Sequence, residues 1–301
     1  MKLLTIAIPT FDRIDELKRL VNIILSERAQ MDGFDKLCDV LVLDNGTDWQ
    51  KEDEIRCKHE WRFINFIQHK VNIGADANIR ECYKKSNSKY VWILGDDDFP
   101  RRGLIPSVLA TLEDQKPDLL YIRAFWCAPE KSERKLESFS LLPESMAQEI
   151  DPELLALRYG SALMFISSVI TNKSKFNEAK IEIDSLANTS LPHLCWTLPL
   201  LRSENKILFI KIPAIIATAF NSGGYSVLKV FADQYPIIYS NEKYLKNIQV
   251  RKALETELTL NFLPNVVRHI RGNRLGAFDF TETLPISNHL RANYYYKMTL
   301  W

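Results

Sequence analysis

Apolar runs and amphipathic stretches alternate along the N-terminal part of the chain. Short runs rich in β-branched residues occupy residues 2–10 (KLLTIAIPT), 38–46 (CDVLVLDNG) and 89–94 (KYVWIL), and they predict strands. Residues 13–27 (RIDELKRLVNIILSE) and 75–86 (ADANIRECYKKS) place apolar side chains three and four positions apart, which predicts helices.

Three more segments continue this alternation up to residue 126. WRFINFIQH (61–69) and PDLLYIRAFW (117–126) predict strands, and GLIPSVLATLEDQ (103–115) predicts a helix. Nearly continuous apolar strands separated by helices are typical of a sheet that is buried on both faces. We therefore predict an α/β fold with a mostly parallel twisted sheet and helices on both faces.

The pattern is less regular beyond this point. Residues 128–160 are charged and predict an insertion that ends in a helix after Asp151 and Pro152. ALMFISSVITN (162–172) predicts a strand, SLPHLCWTLPLLRSENK (190–206) a helix and ILFIKIPAIIATAF (207–220) further strands. From residue 228 onward the pattern is mainly helical.

Composition excludes several classes of protein. The chain of 301 residues is 46% hydrophobic and 26% charged with a formal net charge of +1, so it is globular and needs no nucleic acid partner. Its five cysteines lie far apart without a C-x-x-C pair, which favours reduced thiols in the cytoplasm. The longest apolar stretch contains Lys211 and Pro213 and is too short to span a bilayer.

Polar residues follow the predicted strands, where open α/β sheets bind their ligands. The first strand runs into Pro9, Thr10 and Arg13, and the second ends at Asp44. The third leads into residues 72–75, and the fourth ends in three consecutive aspartates. We expect these residues to lie together at one edge of the sheet and to form a site.

The three aspartates, Asp96, Asp97 and Asp98, repel one another unless something neutralises them. Carboxylates suit a hard divalent cation, and Mg²⁺ or Mn²⁺ held by one or two of them commonly binds substrate phosphates as well. The triplet therefore predicts a metal-diphosphate site. A solvated acidic turn without function is the alternative.

Four segments in order, TIAIPTFDR (5–13), VLVLDNGT (40–47), NIGADANIRECY (72–83) and YVWILGDDD (90–98), resemble the family 2 glycosyltransferases with the glycosyltransferase A-type fold. The resemblance covers roughly residues 1–125. It implies a nucleotide-sugar donor, Mn²⁺ or Mg²⁺, and a saccharide or polyprenyl-linked saccharide acceptor. Members of this family often build bacterial surface polysaccharides such as O-antigen or capsule.

The resemblance also implies an organisation in domains. We expect a catalytic domain over residues 1–225, in which residues 1–125 bind the nucleotide sugar and residues 126–225 bind the acceptor. A helical region over residues 226–301 follows. Its basic and aromatic end (HLRANYYYKMTLW, 289–301) suits packing, a dimer contact or the inner face of the cytoplasmic membrane.

Carried over to this sequence, the family pattern implies a role for each residue at the strand ends. Asp98 is the first choice for direct metal contact, and Asp96 is its partner in the D-x-D pair. Because the family often has an aspartate where this chain has Gly95, the register of the pair stays open by one residue. Residues expected to bind the nucleotide sugar are Pro9, Thr10, Arg13, Asp44, Asn72, Gly74, Asp96 and Asp97.

An inverting member needs a carboxylate or another base to take the proton of the acceptor hydroxyl. Many members carry it in a Glu-Asp pair after the middle of the domain, where this chain has none. Two candidates are His193 and Asp184, which lies close to Glu182. For His193, a packing or capping role is the alternative. NSGGYS (221–226) predicts either a closing loop or an ordinary connector.

Two other functions compete with glycosyl transfer. A sugar nucleotidyltransferase also uses aspartates and a divalent cation, but its first loop is usually rich in glycine, whereas IPTFDR (8–13) has none. A non-catalytic carbohydrate-binding protein with a decayed site is the second. The intact acidic triplet and Asp44 argue against decay.

Overall fold

A computed structural model describes residues 1–49, 59–127, 141–143, 146–218 and 228–271. The predicted loop at 221–226 and the basic aromatic end at 289–301 lie outside these residues. The strands of the described part are β1 (Leu4–Thr10), β2 (Cys38–Asp44), β3 (Ile64–Gln68), β4 (Tyr90–Ile93), β5 (Phe99–Pro100), β6 (Leu119–Cys127), β7 (Ala147–Glu149), β8 (Val169–Asn172) and β9 (Ile207–Thr218).

Helices separate most of these strands. None of them, within the described ranges, is long and apolar enough to cross a bilayer. They are α1 (Ile14–Ala29), α2 (Phe34–Leu37), α3 (Ala75–Lys85), α4 (Leu104–Asp114), α5 (Pro152–Tyr159), α6 (Lys173–Glu178), α7 (Leu194–Thr197), α8 (Tyr235–Ser240), α9 (Ile248–Glu257) and α10 (Leu263–Arg271).

All nine strands join one sheet in the order β3-β2-β1-β4-β8-β6-β9-β5, with β7 beside β9. Strands β1 to β4 pair in parallel, so their carboxyl ends meet at one edge. Strand β8 runs antiparallel to β4 and β6, and this brings its first residue to the same edge. The predicted α/β fold class is confirmed, and the sheet is mixed beyond β4.

Both faces of the sheet are covered, which explains why its strands read as nearly unbroken apolar runs. On one face Ile6 and Ile8 of β1 share a core with Leu17 of α1. On the other face Ala7 shares a core with Tyr83 of α3 and with the C-terminal helices. Alternate residues of one strand thus serve two cores.

A wide bulge in β9 positions the chain that follows the acidic triplet. Ile122 of β6 pairs with Ile210, yet Ala124 pairs with Ile215, so four residues of β9 lie opposite one of β6. The bulge includes Pro213, which lacks the N–H that a regular ladder needs. Beyond the bulge, β9 pairs with the two-residue strand β5 directly after the aspartates.

Two predicted elements differ from the structure. Only Val169–Asn172 of the strand predicted at 162–172 is extended; Ser161–Met164 and Ile166–Ser168 form 3₁₀ turns. Their polar groups bond outside the ladder, since the indole of Trp92 donates to the carbonyl of Ser167 at 2.7 Å. The helix predicted at 190–206 shortens to α7 and a 3₁₀ turn, Leu198–Leu200, that contains a proline.

A buried acid binds the C-terminal helices to the segment between α5 and β8. Both oxygens of Glu257 in α9 accept hydrogen bonds from Ser161, one from its N–H and one from its hydroxyl, each at 2.8 Å. The hydroxyl of Tyr235 donates to the carbonyl of Gly160 at 2.8 Å. Burial raises the pKa of Glu257 above its ordinary value. The boundary of a separate helical region stays a prediction.

Glu257 should make stability fall as pH rises through the titration range of a buried glutamate. The folded protein retains its proton at pH values where the unfolded chain has lost it, so the free energy of unfolding decreases through that window. Glu257→Gln removes the effect. Urea titrations from pH 4 to 7 should therefore show that the free energy of unfolding of the variant increases relative to that of the wild type as pH rises.

The exposed glutamate Glu153 offers a matched control. Glu153→Gln should track the wild type across the same range. A pH-independent difference between Glu257→Gln and the wild type would contradict the prediction.

Candidate active site

The ends of β1, β2 and β4 meet at the carboxyl edge of the sheet. Thr10 and Asp44 lie side by side at the ends of β1 and β2, and Ile93 ends β4 next to Ala7. Beyond β4 the chain turns through residues 94–98, and the hydroxyl of Thr10 donates to Oδ2 of Asp96 at 2.8 Å. Polar groups from separate segments are therefore in direct contact here.

Arg13 supplies positive charge to the acidic triplet. Its Nη1 lies 3.1 Å from Oδ1 of Asp96 and 3.3 Å from Oδ2 of Asp97. The Asp96 residue is only 4% exposed, so water screens its charge poorly. The end of β1 and the loop after it thus bind the segment that follows β4.

Asp98 turns inward, toward β8. The hydroxyl of Ser167 donates to its Oδ2 at 2.6 Å and accepts from the N–H of Gly95 at 2.9 Å. Burial, followed by the charge of Asp97, raises the pKa of Asp98 well above its ordinary value. Burial, with a further contribution from Asp97, raises the pKa of Asp96 to about 6 although Arg13 opposes the shift.

Gly95 provides the space for this inward turn. A Cβ at position 95 would lie 2.6 Å from Oδ2 of Asp98, closer than nonbonded atoms approach. Any side chain there must move the Asp98 carboxylate away from Ser167. The glycine that departs from the family pattern is therefore a requirement of this arrangement.

Asp44 is fully buried at the end of β2. Its carboxylate accepts from the N–H of Thr47 at 3.2 Å, from the hydroxyl of Thr47 and from the indole Nε1 of Trp49 at 2.8 Å. The hydroxyl oxygen of Thr47 also accepts from the N–H of Asp12 at 2.9 Å. Asp44 thus organises the loops after β1 and β2, and its expected part in binding the nucleotide sugar stays a prediction.

Two asparagines lock the end of β2 to the segment that leads into α3. Nδ2 of Asn45 donates to Oδ1 of Asn72 at 2.8 Å, and Oδ1 of Asn45 accepts from the N–H of Ile73 at 2.9 Å. Oδ1 of Asn72 also accepts from the N–H of Gly74 at 2.8 Å. Gly46 permits the close approach, with φ 91° and its Cβ position 2.8 Å from the Val71 carbonyl carbon.

The structure places the two candidate bases in contrasting environments. Asp184 is exposed and lies 2.8 Å from Nε of Arg80 and 2.9 Å from Nζ of Lys84, and the hydrogen bond from Lys84 is the main cause that lowers its pKa. His193 is buried with Nε2 3.2 Å from the carbonyl of Leu163, and burial lowers its pKa to about 4. Both catalytic assignments stay predictions.

A polar stripe along α3 holds the segment that carries Asp184. Arg80 and Lys84 bind Asp184 itself, and one turn earlier Asp76 accepts from the N–H of Ser190 at 2.9 Å. Burial raises the pKa of Asp76 although backbone hydrogen bonds from residues 188–190 oppose the shift. Because α3 begins directly after residues 72–74, one helix connects these residues to the segment that carries Asp184.

Whether this edge can bind a divalent cation depends on the carboxylate oxygens of Asp96, Asp97 and Asp98. Among the described residues, no group of three His, Cys, Asp or Glu side chains is arranged as a closed metal site. The carboxylates of Asp96 and Asp98 are nevertheless buried, adjacent and raised in pKa by burial and by neighbouring negative charge. Oxygen ligands with excess negative charge suit Mn²⁺ or Mg²⁺ that also binds a phosphate.

Sequence reasoning missed several residues of this edge. Ser167 fell inside the predicted strand 162–172, and the contacts of Thr47 and Trp49 with Asp44 had no signal in the sequence. Asn45 and Gly46 read as a tight turn. Ser167 precedes β8, which runs antiparallel to β4 and starts at the edge where β4 ends. Its place in the site could therefore be recognised only once the position of β8 in the sheet was known.

Comparison with known proteins gives one family and one fold. The sequence model of glycosyl transferase family 2 matches residues 5–172, more than half of the chain. That span includes every strand-end residue described above. No curated protein sequence matches the chain significantly.

Solved structures share the fold at low sequence identity. S. aureus TarS 1–349 in complex with UDP has a TM-score of 0.59 and 17% identity, covering 94% of this chain and 76% of that chain. Its complex with UDP-GlcNAc gives 0.57 and 16%, covering 93% and 82%. The mannosyltransferase PcManGT from Pyrobaculum calidifontis, in complex with GDP-Man and Mn²⁺, gives 0.55 and 11%, covering 94% and 76%.

Gly95→Ala should destabilise the fold by about 1–3 kcal/mol, because it forces the buried Asp98 carboxylate off its hydroxyl donor. The measurement is a double-mutant cycle with Ser167→Ala, followed by chemical denaturation. Since both changes break the same hydrogen bond, the double variant should lose less stability than the two single variants lose together. Full additivity would contradict the role of Gly95.

Proposed function

The chain belongs to glycosyl transferase family 2, and we propose that it is a metal-dependent enzyme that transfers a sugar from a nucleoside diphosphate to a hydroxyl of a saccharide or lipid-linked saccharide. The observation that supports this most is the buried acidic cluster at the carboxyl edge, bound by Thr10 and Arg13. It has the charge and the position that a metal-bound diphosphate requires.

Donor binding is assigned to the loops after β1, β2 and β3 and to the triplet. Arg13 offers a cation beside the carboxylates for the diphosphate, and residues 72–74 line the pocket on the side of β2. The similar structures of TarS and PcManGT contain UDP, UDP-GlcNAc or GDP-Man. The full proposed set is Pro9, Thr10, Arg13, Asp44, Asn72, Gly74, Asp96 and Asp97.

The metal is assigned to Asp98 and Asp96, as Mn²⁺ or Mg²⁺. When bound, such a cation offsets the negative charge that develops on the departing diphosphate. Ser167 fixes the carboxylate of Asp98 and Thr10 fixes that of Asp96, so both oxygens are held in place before any ligand arrives. Preorganised ligands of this kind bind without a large cost in side-chain entropy.

The acceptor hydroxyl must lose a proton as it attacks the anomeric carbon. His193 and Asp184 remain the proposed bases. His193 is neutral at pH 7 because burial lowers its pKa to about 4, and its Nε2 lies 3.2 Å from the carbonyl of Leu163. Asp184 is ionised but bound by two cations, which makes it a weaker base.

The wider setting is also a proposal. A bacterial surface glycan such as O-antigen or capsule fits the family, and the enzyme would act in the cytoplasm or at the inner face of the cytoplasmic membrane. We keep the division into a catalytic domain (1–225) and a helical region (226–301), although described helices of the latter share a core with the sheet. A sugar nucleotidyltransferase is the alternative function, because such enzymes also use aspartates and a divalent cation.

Incubation with UDP-, GDP-, CDP- and dTDP-sugars and Mn²⁺ tests the proposed activity. We expect slow hydrolysis of one donor to nucleoside diphosphate, lost on chelation and reduced at least about a hundredfold in Asp98→Asn, because leaving-group stabilisation is lost. Asp39→Asn is the matched control, since the partly exposed carboxylate of Asp39 lies near the start of β2 and pairs with Lys2. Formation of a nucleoside triphosphate from pyrophosphate would indicate a nucleotidyltransferase, and no reaction would favour a binding protein.

His193→Ala should lose most of the turnover while it still binds the donor in a thermal-shift assay. Because the ring is buried, the free energy of unfolding is measured alongside, and His193→Gln serves as the variant that preserves bulk. Asp184→Asn is compared under the same conditions. Kinetics unchanged from the wild type would remove His193 from the mechanism, whereas joint loss of stability and donor binding would assign it to packing.

A further inference from the structure

One tryptophan of the described chain is exposed. Trp126 is 56% exposed near the end of β6, whereas the other described tryptophans are at most 6% exposed. Its ring lies against Phe165, with ring centroids 4.7 Å apart. Tryptophan is usually well buried because its ring is large and apolar, so an exposed one beside a second aromatic ring suggests a binding surface.

Two independent connections place this aromatic pair beside the acidic cluster. Phe165 precedes Ser167 by two residues, and Ser167 donates to Asp98. On the other side, the strand neighbour of Cys127 is Thr218, whose hydroxyl donates to the carbonyl of Asp97 at 2.7 Å. The triplet is therefore bonded to both segments that flank the exposed ring.

The order of the sheet separates this surface from the donor side. Strands β1, β2 and β3 lie on one side of β4, and β8 and β6 lie on the other. The loops assigned to the nucleotide follow β1 to β3, whereas Trp126 belongs to β6. A ligand on Trp126 would therefore approach the aspartates from the side opposite the nucleotide.

The chemistry of the surface suits a sugar ring. A pyranose presents a face of C–H groups, and these pack on the electron-rich face of an aromatic ring with both dispersion and electrostatic attraction. Trp126 and Phe165 carry no charge, so the pair is unsuited to a phosphate. Two rings are also far smaller than the ~800 Å² per partner of a stable protein interface.

We propose that Trp126, supported by Phe165, is the platform on which the acceptor saccharide stacks. The inference rests on the proposed function, since it assigns the acceptor to the surface across β4 from the donor. The platform orients a sugar hydroxyl toward the acidic cluster and gives the site its preference for a saccharide acceptor. Trp126 acts by binding and takes no part in proton transfer.

Saturation-transfer NMR with methyl β-glycosides of glucose, galactose, mannose and N-acetylglucosamine tests the platform in the presence of UDP or GDP and Mn²⁺. We expect one or more glycosides to bind the wild type through their C–H face. Trp126→Ala should weaken this binding roughly tenfold, while Trp126→Phe keeps most of it because the stacking face remains. Ile237→Ala, at a similarly exposed position on α8, should bind as the wild type does.

Equal glycoside binding by Trp126→Ala and the wild type would overturn the proposal, and so would the absence of binding by the wild type to every glycoside. Equal weakening in Ile237→Ala would also overturn it. Because Trp126→Phe keeps an aromatic ring in place, it controls for misfolding. Nucleotide-sugar hydrolysis by the wild type tests the proposed function separately. If the wild type hydrolyses a donor but Trp126→Ala binds glycosides equally well, the proposed function stands and the role of Trp126 is wrong.

Discussion

The repulsion among three adjacent carboxylates is the constraint around which this end of the molecule is built. Asp96 and Asp98 are both nearly buried, so water does little to separate their charges. The triplet is bound by Thr10 at the end of β1, by Arg13 just after it, and by Ser167 in the turn before β8. The remaining excess of negative charge is the reason why a cation is proposed at this edge.

Much of the fold could be predicted from the sequence because the sheet is buried on both faces. Strands β1, β2 and β4 read as apolar runs, and α1 and α3 show helical spacing between them. The two-residue strand β5 and the three-residue strand β7 are too short to carry a pattern. Residues 162–168 were misread as part of a strand, and the contacts that Ser167 makes with Trp92 and Asp98 come from distant parts of the chain.

Some residues of the candidate site could be predicted from the sequence and others could not. Residues that follow parallel strands could be predicted, since parallel strands bring their ends together by rule. Ser167 and Trp126 could not, because their positions depend on an antiparallel strand inserted between β4 and β6, and no local pattern encodes that order. Gly95 was noticed as a departure from the family, but its reason is visible only in the space that the Asp98 carboxylate occupies.

Helix α3 fixes two distant segments of the chain relative to each other, residues 72–74 and residues 184–190. This helix of eleven residues is about 16 Å long, so it keeps its two ends at a fixed separation. Its start is tied to Asn45 through residues 72–74, and its flank grips residues 184–190 through Asp76 and Arg80. A substitution that tilts α3 would therefore disturb residues 72–74 and residues 184–190 together.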